Sequence, residues 1–244
     1  MHVEQWIQML SKISTADEEA FLSLRDRIPL GANSDGGIVT AYTAPKKGRL
    51  RHLCVTGVAR TEFLKGLIVG LSCLYQREEI SFFILSPKFD YTQLLSLSSA
   101  DITLPFVRTY EDCTSALETV KELVRMRQFS SARYPRLVLV LDGLEGIYPQ
   151  KDDMLDAYKP FMEDLLAADV DMFTGADLLG TIFSGYPGAF VGVGNCLITA
   201  DECENADVTY VGEDCSLSKP TSFSPSVSTS IDEAITLLNS LSEV

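Results

Sequence analysis

Histidine is scarce in this sequence: His2 and His52 are the only two. No Ser-His-Asp or Cys-His constellation is visible around them, so nucleophilic triad chemistry has no support. The six cysteines (Cys54, Cys73, Cys113, Cys196, Cys203 and Cys215) include no Cys-x-x-Cys pair. Cys196, Cys203 and Cys215 follow one another at spacings of seven and twelve, which match no zinc site, and both histidines lie far away in the chain. No metal is expected. Cys54 and Cys73 stand in apolar runs and read as buried thiols. Long apolar runs are missing as well. None approaches the roughly 20 residues of a membrane span, and no signal-peptide pattern is visible. The expectation is a chain without membrane insertion in a reducing cytoplasm.

Basic residues are the next shortage. Twenty Lys and Arg face 34 Asp and Glu, a formal net charge of −14. Such a surface repels nucleic acid and anionic lipid, because phosphate binding is driven by Lys and Arg displacing counterions. A protein partner or self-association is the expected mode of contact, with nucleic acid disfavoured. The one basic run, Lys46, Lys47, Arg49 and Arg51, reads as a solvated turn before a strand.

What is present suffices for a core. Hydrophobic residues make up 46% of 244, enough for one α/β domain with small appendages. Val3, Trp6, Ile7, Leu10 and Ile13 mark an amphipathic helix, and Thr15-Ala16-Asp17-Glu18 reads as a capping box opening a second. Asn33-Ser34-Asp35-Gly36-Gly37 is a turn before a short strand at Ile38–Tyr42, and Ala44–Gly48 is another turn. Strands and helices then alternate: 52–56, 62–76, 80–85, a short helix at 91–97, 104–108, 114–127 and 136–141. That alternation predicts a parallel sheet with helices on both faces. Residues 152–168 read as a helix and Val170–Thr174 as a strand. Ser216–Thr229 reads as a Ser/Pro-rich linker, and Ser230 caps a terminal helix carrying Ile231, Ala234, Ile235, Leu238 and Leu241 on one face.

Two stretches carry the functional signal. Leu53-Cys54-Val55 runs into Thr56-Gly57, and Phe63, Leu64, Leu67, Ile68 and Leu71 follow at helical spacing. This is strand, tight turn, helix, a layout in which N-terminal amides can hold a phosphate. Arg136–Asp142 is a continuous Leu/Val run ending in one acid, as in a strand buried on both faces.

In these stretches the chain resembles the FtsK/SpoIIIE-type ATPases, the motor domains of DNA translocases and of type VII secretion. The resemblance runs from about Ile28 to Gly146. Ile28-Pro29-Leu30-Gly31 with Asp35-Gly36 and Val39 is similar to the family's lead-in hairpin, and His52-Leu53 stands where the family enters its phosphate loop. Phe82–Lys88 is similar to the second strand, which normally ends Asp-Pro-Lys. Leu104-Pro105 and the helix from Thr114 to Met126 continue the order. The resemblance implies a P-loop NTPase-like three-layer α/β sandwich with a mainly parallel sheet. It makes Gly57, Arg60, Thr61 and Asp142 the counterparts of the nucleotide site, with Thr174 at the place of a sensor residue or as an ordinary strand end. Past Asp177 two readings stand: Gly192–Leu197 as a family turn, or Cys196–Thr199 as a core strand with 201–212 after it.

The departures concern the chemistry. A working loop reads G-x-x-x-x-G-K-[ST], because consecutive backbone amides curl around the phosphate while Lys and a hydroxyl supply charge and a metal ligand. Here Gly57-Val58-Ala59-Arg60-Thr61 leads straight into the helix, so three loop residues are absent if Ala59-Arg60-Thr61 stands for Gly-Lys-Ser/Thr. Gly143 follows Asp142 where the family has a second acid, with Glu145 three residues on, and Ser86 precedes Pro87 in place of Asp. Arg60 binds an anion or pairs with Asp142.

The expectation is a helical hairpin at 1–28, an FtsK-like core at 29–215, a linker at 216–229 and a terminal helix at 230–244. The function expected is that of a non-catalytic, degenerate ATPase-like domain acting through protein contacts in a translocation or secretion assembly, with no cofactor and a vestigial nucleotide site. The alternative is a domain that binds ATP and Mg²⁺, hydrolyses weakly and contacts DNA. The terminal helices either offer an interface or complete the core.

Overall fold

A computed structural model describes residues 1–42, 51–129, 134–144, 147, 165, 168, 170–175, 196–210, 217–228 and 230–242. Helices α1 (Val3–Ala16) and α2 (Glu18–Arg27) precede a hairpin of β1 (Pro29–Ala32) and β2 (Ile38–Thr40). β3 (Arg51–Thr56), α3 (Arg60–Ser72), β4 (Ile80–Leu85), a 3-10 helix at Phe89–Ser96, β5 (Asp101–Thr103), α4 (Tyr110–Phe129) and β6 (Arg136–Asp142) follow. Then come β7 (Asp171–Gly175), β8 (Cys196–Thr199), β9 (Ala206–Tyr210), β10 (Thr221–Pro225) and a final helix, α5 (Ile231–Ser242).

The described strands form one sheet in the order β2-β1-β10-β9-β8-β3-β7-β6-β4-β5. From β8 to β5 every neighbour is parallel, and from β2 to β8 every neighbour is antiparallel. The parallel half is buried on both faces, and its strands show how. In β6, Val138 and Val140 join the core under α1, α3 and α5, while Leu137, Leu139 and Leu141 join the opposite core with Cys113, Leu117, Val120 and Val124 of α4. Successive side chains of a strand point to opposite faces, so a continuous apolar run serves two layers at once. The expected α/β sandwich with a mainly parallel sheet is what forms. No described helix is long and apolar enough to cross a membrane.

Several local expectations change. The second helix is capped by Asp17, whose side chain accepts from the Ala20 amide at 2.9 Å; Thr15 lies inside α1 and donates to the Ser11 carbonyl at 2.8 Å. The strand expected at 104–108 lies earlier, at Asp101–Thr103, since Pro105 has no amide to give a ladder. α4 starts earlier than the apolar pattern indicates, because Thr109 Oγ1 accepts from the Asp112 amide at 3.1 Å while the Asp112 carboxylate accepts from the Thr109 amide at 2.9 Å. Cys196–Thr199 is the core strand of the two readings offered. The largest change is in 216–229. Ser/Pro-rich composition suggests a linker, yet Thr221–Pro225 is a strand between β9 and β1, with Phe223 buried. Of the two strands it pairs with, β9 just precedes it but β1 lies near the other end of the chain, so no local pattern announces a strand held from both sides. The expected turn at 44–48 and most of the expected helix at 152–168 fall outside the described residues, as does Glu145.

The terminal helices are docked. Trp6 is fully buried and its indole donates to the Gly70 carbonyl of α3 at 3.0 Å. Ile231, Ala234, Ile235 and Leu238 of α5 are buried in the same core. Of the two readings for these helices, completion of the core is the one realised.

Candidate functional site

β3 ends at Thr56, at the carboxyl edge of the parallel strands where open α/β sheets place their ligand crevices. Gly57 turns the chain with φ +102°, Val58 projects almost fully exposed, and α3 starts at Arg60. The segment leaving β8 lies directly over this turn. The Ala200 amide donates to the Thr56 carbonyl at 2.8 Å, and the Ala59 amide donates to the Ala200 carbonyl at 2.9 Å. The Arg60 amide closes the turn on the Gly57 carbonyl at 3.3 Å. Two amides of the turn, those of Ala59 and Arg60, are thus engaged by the chain itself.

Gly57 is required twice over. Its φ is in the left-handed region, and a Cβ there would sit 2.3 Å from the Ala200 carbonyl oxygen. Backbone cannot swing aside as a flexible side chain can. Gly57→Val is therefore expected to cost at least about 2 kcal/mol, from strain and overpacking together. A melting temperature equal to that of the parent chain would refute this.

Asp142 ends β6, opposite Gly175 of β7. The space for its carboxylate exists because position 175 has no side chain: a Cβ there would lie 2.3 Å from Asp142 Oδ1. The chain then turns sharply at Gly143, φ +71°, whose amide donates to the Gly175 carbonyl at 3.1 Å. Asp142 is almost completely buried and accepts from three side chains. Arg60 Nε reaches Oδ1 at 3.1 Å, while Thr61 Oγ1 and the Tyr91 hydroxyl reach Oδ2 at 2.7 and 3.1 Å. Burial and the adjacent carboxylate push the Tyr91 phenol far above its ordinary value, so it stays a donor.

Gly57, Arg60, Thr61 and Asp142 therefore belong to one cluster. Of the two roles weighed for Arg60, pairing with Asp142 is the contact formed. Tyr91 and Ala200 are members that sequence reading does not find. Tyr91 stands in a stretch read only as a short helix, and its reach to Asp142 depends on the 3-10 path of 89–96. Ala200 acts through its backbone, which no residue type advertises.

Thr174 is used elsewhere. Its Oγ1 lies 3.0 Å from His52 Nε2, tying β7 to β3, and the Cys54 thiol lies 3.2 Å from the same nitrogen. Burial lowers the His52 pKa to about 3, so the ring is neutral at physiological pH. Burial also raises the Cys54, Cys73 and Cys196 thiols. These are inert groups, since thiolate is the reactive form. Among the described residues no three His, Cys, Asp or Glu side chains gather as metal ligands.

Neither models of protein families nor curated proteins give a match to this chain. Solved structures do. The cytoplasmic domain of the Thermomonospora curvata type VII secretion ATPase EccC superposes with a TM-score of 0.64 at 12% identity, over 88% of this chain and 31% of that one. A structure described as an ATPase gives 0.62 at 13% identity, over 94% and 95% of the two chains. EssC (ATPases 2 and 3) from Geobacillus thermodenitrificans gives 0.55 at 9% identity, over 89% and 49%. The chain thus spans 31% and 49% of these EccC and EssC chains. At such identities the likeness concerns the fold alone, and that fold is the one of the EccC and EssC ATPase domains.

Proposed function

We propose that this chain is a non-catalytic domain on an FtsK/SpoIIIE-like ATPase fold, acting through protein contacts in a translocation or secretion assembly. The observation that carries the reading is the saturation of Asp142. In a working P-loop site the strand-end acid helps hold Mg²⁺ while the loop amides and Lys hold the β- and γ-phosphates. Here Arg60, Thr61 and Tyr91 take up that carboxylate, and the Ala59 amide is spent on Ala200. A magnesium–phosphate pair does not fit these residues as they stand, for its ligands already have partners and the turn is too short to encircle a phosphate. Arg60 supplies internally the positive charge that a metal ion would bring. With Arg60 bound to Asp142 in place of a free loop Lys, and Gly143 where the family has its second acid, phosphoryl transfer lacks two main sources of transition-state stabilisation. Support for a protein partner comes from the charge of −14, which disfavours nucleic acid.

Titration with a fluorescent ATP analogue, with and without Mg²⁺, tests the reading. No saturable binding and no phosphate release are expected. Steady-state ATPase activity that disappears in Asp142→Ala would overturn it in favour of a weak motor domain.

A further inference from the structure

Beside the Asp142 cluster, the outer edge of the sheet carries a preformed apolar cleft. Beyond β4 the chain turns at Ser86-Pro87 into the 3-10 helix, and beyond β5 it runs extended through Leu104–Arg108. The two segments enclose a cleft of about 120 Å³ walled by Pro87, Leu95 and Leu104. Phe89 and Phe106 form its lip, with ring centroids 5.7 Å apart. The Arg108 guanidinium lies over both rings, 4.7 Å from the centroid of Phe106 and 5.1 Å from that of Phe89. Phe89, Leu95 and Phe106 are each more than half exposed, so three large apolar side chains face water at one cleft. Grouped exposure of this kind marks a contact surface more than scattered exposure does.

The two charged residues that line the cleft are both basic. Lys88 and Arg108 are exposed cations on one cleft, and neither makes an ion pair with a described residue, although acids outnumber bases 34 to 20. Asp112, four residues beyond Arg108, spends its carboxylate on the backbone amides of Arg108 and Thr109. The wall itself is fixed from behind. Tyr91 is anchored on Asp142, Leu94 is buried, and Asn239 of α5 bonds the Ser96 carbonyl at 2.7 Å and the Ser98 amide at 2.8 Å. A pre-ordered wall lowers the entropy lost on docking.

We propose that this cleft docks a segment of a partner protein that presents one apolar side chain flanked by carboxylates. The cleft is of the order of the ~150 Å³ cavity that admits a benzene ring, so it takes a single Leu-, Met- or Phe-sized group. A carboxylate beside that group reaches the outward N–H edge of Arg108, whose planar fork suits bidentate contact, and a second reaches Lys88. The inference rests on the protein-contact reading above and names the surface that reading requires.

The test uses the full chain and three fluorescein-labelled peptides: Glu-Glu-Leu-Leu-Glu-Glu, its counterpart with Gln for each Glu, and its counterpart with Lys. Saturable binding of the acidic peptide is expected, weakening as salt rises. Phe106→Ser and Arg108→Glu should each weaken it at least tenfold with the melting temperature unchanged, since both side chains are exposed. Arg108→Glu should bind the Lys peptide better than the parent chain does. Three results would overturn the proposal: no binding of the acidic peptide, equal binding of the acidic and Lys peptides, or indifference to Phe106→Ser. Concentration-dependent self-association abolished by Phe106→Ser would also overturn it, by making a second copy the occupant. Nucleotide titration of the same samples keeps the two readings apart. Nucleotide binding beside intact peptide binding removes the non-catalytic reading and leaves the cleft; loss of both ligands removes the cleft alone.

Discussion

Arg60→Ala is expected to destabilise the protein by about 3–5 kcal/mol, the cost of leaving a buried charge without its partner. Asp142 is 2% exposed, and Arg60 is the cation on its Oδ1. Thr61 and Tyr91 would remain as donors, but two hydroxyls do not neutralise a carboxylate held away from water. Arg60→Lys should recover part of the loss, since an ammonium restores charge without the planar fork. The double change Arg60→Met with Asp142→Leu should recover only part of it: an apolar pair of similar volume replaces a buried ion pair at little cost, but the Tyr91 and Thr61 hydroxyls lose their acceptor. Denaturant midpoints at constant m-value measure all three. A single Arg60→Ala variant within about 1 kcal/mol of the parent would mean that water or a neighbouring segment reaches Asp142, and the internal-cation argument would fail.

A larger effect is expected from deleting residues 230–244: the remaining chain should not fold. Ile231, Ile235 and Leu238 are buried against α3 and the 3-10 helix, and three such side chains carry roughly 5–9 kcal/mol of burial. That is comparable to the whole stability of a domain, typically about 5–15 kcal/mol. Asn239 adds its bonds to Ser96 and Ser98, so the wall that holds Tyr91 would loosen as well. Circular dichroism and a thermal melt of the truncated chain decide the matter. A folded truncated chain that had lost only self-association or a bound partner would make α5 an interface element after all.

How far the site can be read in one dimension depends on how each residue acts. Gly57, Arg60, Thr61 and Asp142 are legible because a strand that ends in a tight turn, and a buried strand that ends in an acid, are local patterns with few uses. Arg60 pairing with Asp142 is legible as a possibility, since a shortened loop brings a long cation near the strand-end acid. Tyr91 is not legible: a Tyr in a polar helical stretch has no mark that tells a surface ring from one whose hydroxyl enters the core. Ala200 is less legible still, for its carbonyl is the same as every other carbonyl until β8 sets it over Gly57.

The sequence by itself determined the layered architecture, the parallel order implied by alternating strands and helices, and the absence of a full phosphate loop. These follow from periodicity, run length and residue identity, which are properties of neighbours along the chain. Only the tertiary structure decided that 221–225 is a strand, that both terminal helices are core, and that Asp142 already has its cation. Each of those depends on at least one partner between about 60 and 200 residues away, and the energy that selects it is burial and hydrogen bonding between segments that no local window contains.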